Sequence, residues 1–217
     1  VFLMAVEKIL IPFCGYPIYK ISTGEILSKD ELKILKKLDK APIITTSSPI
    51  ELTKDVNILD NNKELTRIKD VIWNCFVDYK DNILEIENDF YMCNSWAAVQ
   101  NKDGHHPWHN HCNAFYSSVF YAQASNSSLK FSVGKSKLQE AYFIEYNLKK
   151  YNVFNATSWG VPVKTGDIIF FPGELTHESP IHDLSSDRIV IAASYFISGN
   201  IGWDNNYNSI NISDANE

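Results

Sequence analysis

The chain has 217 residues, 45% hydrophobic and 21% charged, the proportions of a globular protein with its own core, which exclude a disordered chain. Twenty-six acidic residues against twenty basic ones leave a formal charge of −6, and no run of Lys and Arg is long enough to hold a polyanion, so a nucleic-acid partner is not expected. No stretch approaches the roughly 18 to 20 apolar residues of a membrane span, and the apolar start Val1–Val6 is interrupted by Glu7 and Lys8. Neither a signal peptide nor a membrane partner is therefore expected, and the predicted compartment is the cytoplasm.

The first part of the chain reads as a strand followed by helices. Residues Ile9 to Tyr19 are apolar and β-prone but broken by Pro12, Gly15 and Pro17, which predicts a strand with an irregular middle. Ser28-Lys-Asp-Glu31 is a capping box, and Leu32, Leu35 and Leu38 behind it give a short amphipathic helix. Thr, Ser and Pro dominate from Ala41 to Leu59, which predicts a surface loop. Leu65, Ile68, Ile72, Phe76, Tyr79 and Ile83 then recur at helical spacing and predict a second helix over about Asn62–Leu84.

From Phe90 onward short β-branched and aromatic runs take over. Strands are predicted near Tyr91–Val99, Ser117–Ala124, Leu129–Val133, Ala141–Tyr146, Asp167–Phe171 and Arg188–Phe196. Many short strands divided by Asn, Gly and Ser turns point to an antiparallel sandwich or barrel, with the helices packed on one face, in a single α+β domain over 1–198. The polar stretch 199–217 reads as an exposed tail. Cys14, Cys75, Cys93 and Cys112 show no C-x-x-C pairing and are expected as buried thiols in a reducing compartment.

All six histidines, His105, His106, His109, His111, His177 and His182, fall in two short windows. Trp108-His109-Asn110-His111 contains an H-x-H step, and on a strand positions i and i+2 face the same way. His177 follows 68 residues later, just past the predicted strand Asp167–Phe171, with Arg188 eleven residues beyond it. Three protein ligands with positions left open make a catalytic metal site in preference to a closed structural one. His105 and His106, beside Asp103, Gly104 and Pro107, read as exposed loop residues, and His182 as part of a turn. Cys112 should point away from His111 and pack as a buried thiol.

Two stretches resemble the bacterial and phage branch of the iron(II)- and 2-oxoglutarate-dependent oxygenases, itself similar to the prolyl hydroxylases. One runs from Ser95-Trp96 through Gly104-His-His-Pro-Trp-His109-Asn-His111-Cys-Asn113 to Ser117-Ser-Val-Phe-Tyr121; the other is Gly166-Asp-Ile-Ile-Phe-Phe-Pro172, His177-Glu-Ser-Pro180 and Asp187-Arg188-Ile189. Phe13-Cys-Gly-Tyr-Pro17-Ile-Tyr19 matches that branch's opening pattern. The resemblance implies a double-stranded β-helix, or jelly roll. It implies Fe(II) bound by His109, His111 and His177, with 2-oxoglutarate held by Arg188 and Tyr121 at its distal carboxylate and O2 as the other co-substrate. The implied activity is hydroxylation with release of succinate and CO2, on a peptide or protein side chain or else a small molecule. Two departures from the family pattern stand out: His111 where H-x-D or H-x-E is commoner, and Val190 where a serine often follows the arginine by two places. A site using His109 and His177 alone, as in halogenases, is a variant of the same class. Trp96, Trp108, Phe115 and Tyr116 are expected to line a substrate groove or to pack in the core, and Trp159–Pro162 to form part of a rim. Two other classes share the H-x-H…His pattern: a cupin-type three-histidine metalloenzyme without 2-oxoglutarate, and a non-catalytic jelly-roll binding protein.

Overall fold

A computed structural model describes residues 15–43, 47–125, 127–134, 147–202 and 207–213. Among these, two antiparallel sheets face each other. The larger runs in the order β1 (Tyr19–Ser22), β9 (Asp167–Pro172), β6 (Tyr116–Gln123), β11 (Arg188–Ile201), β4 (Asp89–Gln100), β3 (Ile50–Thr53), β2 (Lys40–Pro42), with β12 (Ile210–Ile212) also on β11. The smaller runs β5 (His106–His109), β10 (Thr176–Ser179), β7 (Ser127–Ser132), β8 (Ser158–Val163). This is the jelly-roll arrangement, with α1 (Lys29–Lys37), α2 (Ile58–Asn61) and α3 (Thr66–Asp78) on the outer face of the larger sheet.

Side-chain alternation explains why the larger sheet is apolar on both faces. On β6 and β9, Val119, Tyr121, Ile169 and Phe171 point between the sheets and pack with Leu129, Phe131 and Leu175. Their neighbours Phe120, Ile168 and Phe170 point outward and meet Ile68, Ile72 and Phe76 of α3. Phe76 stacks on Tyr195 with ring centroids 3.8 Å apart. The Ser28 capping box forms as predicted, and its Glu31 also receives Arg67 of α3, with Nη2 at 2.7 Å, so the cap that starts α1 fastens it to α3.

Several expectations give way to tertiary pairing. The loop predicted over Ala41–Leu59 contains β2, β3 and the start of α2, because β3 pairs with the free edge of β4, from Ile50 opposite Gln100 to Leu52 opposite Ala98. The helix predicted over Asn62–Leu84 is divided: a 3₁₀ turn at Lys63–Leu65 precedes α3, and a π turn at Tyr79–Leu84 follows it and ends at Glu85 in the left-handed region. The polar tail carries β12, whose backbone pairs with Gly199–Ile201. Cys112 is exposed instead of buried, while Cys75 and Cys93 are half-buried. The strand predicted over Ala141–Tyr146, Cys14 and the start of the first predicted strand lie outside the described residues. No helix among the described residues is long and apolar enough to cross a membrane.

The junction of β1 with β9 rests on one buried carboxylate. Asp167 has no side-chain exposure and takes an ion pair from Lys20 Nζ at 2.8 Å, with further hydrogen bonds from Ser22 Oγ at 2.7 Å and the Lys164 N–H at 3.0 Å. Burial alone would raise the Asp167 pKa, but these donors outweigh it and hold the carboxyl below the ordinary aspartate range. A lowered folded-state pKa contributes stability above the unfolded value, lost as pH falls through the folded one. Asp167→Asn is therefore expected to lower the unfolding free energy by about 1–3 kcal/mol at neutral pH. Urea unfolding followed from neutral to acid pH should show the gap between wild type and variant closing below about pH 4; a gap independent of pH would contradict this role.

Candidate metal centre

The open side of the two sheets is lined by β5, β10 and the near ends of β4 and β11. β5 and β10 pair with His177 opposite His109 and Ser179 opposite His106. Two residues advance on one strand while three advance on the other, and this bulge turns both His106 and His109 toward the cavity. His111 lies past the end of β5, so loop geometry, not strand alternation, brings it beside His109. Its N–H donates to the Gly173 carbonyl at 2.9 Å. A side chain at Gly173 would meet the Ala114 carbonyl at 2.4 Å, so the loop seats there only on glycine.

One donor atom from each of His109, His111 and His177 lies within 4.8 Å of the others. In all three rings Nδ1 is already engaged: His109 with the Pro107 carbonyl at 2.7 Å, His177 with the Leu175 carbonyl at 2.9 Å, His111 with Ser117 Oγ at 2.7 Å. A backbone carbonyl only accepts, so Nδ1 of His109 and His177 carries the proton and Nε2 is left with a free lone pair. Such outer partners fix tautomer and ring orientation in metal sites. Burial lowers all three pKa values, helped at His111 and His177 by the neighbouring imidazoles and opposed at His109 by its hydrogen bond to the Pro107 carbonyl; that of His177 falls to about 3. The rings are thus neutral at physiological pH, the state in which imidazole binds metal. Three nitrogen donors with space beside them fit Fe(II).

Arg188, the first residue of β11, is 2% exposed at the other end of this cavity. Its Nη1 donates to Ser179 Oγ, and its Nη2 reaches Tyr121 Oη at 3.4 Å and the Ser128 carbonyl at 3.3 Å. The guanidinium carbon lies 5.2 Å from the Tyr121 ring centroid. Nε is buried with no hydrogen-bond partner, and no carboxylate among the described residues pairs with this side chain. A buried cation left so is costly unless an anion reaches it. A guanidinium with one orphaned donor stands across the cavity from three imidazoles, and this fits an oxo acid that chelates a metal at one end and ends in a carboxylate at the other.

The remaining sequence candidates divide. Trp96 lines the cavity and meets His111 edge-on at 5.0 Å. Trp108 points to the outer side of β5 and is 44% exposed. Phe115 is exposed and packs on Phe90 and Phe196, and Tyr116 packs on Tyr79 and Phe90 at the helix side of the larger sheet, so neither lines the cavity. Val190 does line the cavity. His106, read from sequence as an exposed loop residue, is half-buried and stacks on His109 with centroids 3.8 Å apart. His182 is buried, with Nε2 on the Ser186 carbonyl and its backbone tied to Asp103 and Gly104. Gln100 carried no sequence signal, and Ser117 and Ser179 were marked only by falling within the stretches that carry the resemblance.

Residues 94–194 match the family model described as "Putative 2OG-Fe(II) oxygenase", a span that includes Trp96, the three clustered histidines, Tyr121 and Arg188. No curated protein matches the sequence. Among solved structures the chain is similar in fold to HygX from Streptomyces hygroscopicus with nickel and 2-oxoglutarate bound (13% identity, 83% of this chain and 82% of that one, TM-score 0.57). It is similar to a Pseudomonas putida prolyl-4-hydroxylase (11% identity, 85% and 94%, TM-score 0.54). It is also similar to SnoN, a non-heme alpha-ketoglutarate-dependent epimerase from nogalamycin biosynthesis (9% identity, 85% and 77%, TM-score 0.59). The sequence resemblance to 2-oxoglutarate/Fe(II) oxygenases and the jelly-roll expectation both hold.

Ser117 is fully buried and serves the site only through His111. Ser117→Ala is expected to weaken Mn(II) binding about tenfold while leaving the thermal unfolding midpoint nearly unchanged. Calorimetric titration with Mn(II) checks this, and unchanged affinity would remove Ser117 from the site.

Proposed function

We propose that this chain, whose residues 94–194 carry the 2OG-Fe(II) oxygenase pattern, is a working dioxygenase that hydroxylates a peptide or protein side chain. The observation that carries the oxygenase chemistry is the buried Arg188, without a carboxylate partner among the described residues, across one cavity from His109, His111 and His177. When bound by these imidazoles, Fe(II) supplies the redox chemistry by which O2 and 2-oxoglutarate become succinate and CO2 with one oxygen atom delivered to substrate.

The rest is done by the chain. His109, His111 and His177 would hold the metal, their Nδ1 atoms being already engaged so that the rings keep their orientation and leave Nε2 for it. Because all three are neutral, the protein donates no negative charge, and the two carboxylates of 2-oxoglutarate balance the metal's +2. Arg188 and Tyr121 hold the distal carboxylate, Arg188 through Nε and Nη atoms in a planar fork, Tyr121 through its hydroxyl. Burial raises the Tyr121 pKa, so the phenol stays protonated and remains a donor. Val119, Leu129 and Val190 make the wall between the two ends apolar, which excludes water and strengthens the charge contacts within.

Two observations support a polypeptide substrate. The fold is shared with a prolyl-4-hydroxylase over most of both chains. A separate apolar cleft of about 460 Å³, lined by Tyr16, Phe131, Phe154 and Trp159, lies against the smaller sheet, and its Phe131 ring is 6.2 Å from His177. A small-molecule substrate is the second reading, favoured by the likeness to HygX, one structure of which holds hygromycin B, and to SnoN, one structure of which holds a nogalamycin compound.

The test is succinate release from 2-oxoglutarate under Fe(II), ascorbate and O2. Wild type is expected to turn over slowly without substrate and faster with a proline-containing peptide pool, and His177→Ala to abolish both. No turnover, together with no stabilisation against heat by 2-oxoglutarate and metal, would overturn the oxygenase assignment. Arg188→Ala is expected to raise the KM for 2-oxoglutarate by on the order of 100-fold with Mn(II) affinity retained; parallel loss of both would contradict its role.

A further inference from the structure

Gln100 is directly opposite Arg188 in the β4–β11 pairing, and both side chains face the cavity. Ser179 stands between them: its hydroxyl accepts from Arg188 Nη1 and donates to Gln100 Oε1 at 2.6 Å. The Gln100 amide donates in turn to the Gly104 carbonyl at 2.5 Å and the Pro180 carbonyl at 2.8 Å. Gln100 is 3% exposed and Ser179 9%, and the side-chain polar atoms of both are spoken for within the protein. The direction of each bond is also forced. Arg188 only donates, so Ser179 must spend its proton on Gln100; Gln100 must present its oxygen there, which aims its NH2 at the two carbonyls.

From this we propose that Gln100 and Ser179 are positioning residues that hold the Arg188 guanidinium in one orientation, and that a neutral amide stands at position 100 so that the arginine stays available to a ligand carboxylate. An acidic residue there would give Arg188 an internal counter-ion across Ser179. Gln100 and Ser179 also link the arginine to the metal end: Gly104 and Pro180 flank the strands that carry His106, His109 and His177, and a side chain at Gly104 would meet the Pro49 carbonyl at 2.5 Å, so this corner is closely packed. The consequence is selective. Loss of the Ser179 hydroxyl should loosen the arginine and spare the imidazoles, whose own Nδ1 partners are elsewhere.

This inference rests on the oxygenase assignment only for its ligand, so two measurements are paired. Titrating Mn(II)-loaded protein with 2-oxoglutarate by calorimetry should show Ser179→Ala weakening the co-substrate about tenfold, with Mn(II) affinity within about twofold of wild type, and Ser179→Thr, which keeps a hydroxyl, restoring most of the loss. In metal-free protein labelled with 15N-arginine, the Arg188 Nε–Hε signal should be separate and sharp in wild type and Ser179→Thr, and broadened in Ser179→Ala and Gln100→Leu. Equal 2-oxoglutarate affinity in Ser179→Ala, parallel loss of Mn(II), or an unchanged arginine signal would overturn the proposal. If wild type takes Mn(II) but no 2-oxoglutarate, the oxygenase assignment falls, and the arginine signal alone decides whether Gln100 and Ser179 hold Arg188.

Discussion

A buried guanidinium without a counter-ion among the described residues is the constraint on which this site depends. Arg188 is enclosed at the start of β11, where a lone charge is tolerated only if hydrogen-bond acceptors and an incoming anion offset its desolvation. Tyr121, Ser179 and the Ser128 carbonyl meet part of that need from three different strands. What is left over among the described residues, the orphaned Nε, is a donor for a bound anion. The three imidazoles make the complementary demand: neutral ligands leave a metal's charge to be balanced by something bound beside it. One dianionic oxo acid answers both.

The larger sheet makes that arrangement rigid. β11 runs fourteen residues, with Arg188 at its first position facing the smaller sheet and Tyr195 further along facing α3, where it stacks on Phe76. The same strand therefore serves the cavity at one end and the helical buttress at the other. β6 is built alike, carrying Ser117 under His111 and Tyr121 against Arg188 on the inner face, with Phe120 on the outer. Sites held on strands whose second face is locked into a core are held more closely than sites on loops. His111 is the exception, and its loop is fastened on Gly173.

Legibility in the sequence followed this division. β4, β6, β9 and β11 were readable because residues buried on both faces leave apolar, β-branched runs such as Asp167–Phe171. β5, β8 and β10 were not. His106-Pro-Trp-His109 and Thr176-His-Glu-Ser179 place histidine and serine at their inward positions, so the alternation that marks a strand is missing at the site itself. For the same reason His106 read as a loop residue: nothing local announces the bulge that turns it inward. That His109, His111 and His177 cluster, with Arg188 on the same cavity, was legible by residue type and order. Ser117, Ser179 and Gln100 were not, since serine and glutamine are common residues whose meaning lies in partners up to 80 positions away. The Ala41–Leu59 segment was misread because a free strand edge on β4 recruits it, and polar composition does not report that edge.

The measurement that tests this account most directly compares two ligands on Mn(II)-loaded protein: 2-oxoglutarate, and 2-oxopentanoate, which chelates a metal equally well but lacks the distal carboxylate. If the cavity is built around the buried charge of Arg188, calorimetry will show 2-oxoglutarate binding at least about 30-fold more tightly, with the difference abolished in Arg188→Ala. Equal affinity for the two acids in wild type would contradict it.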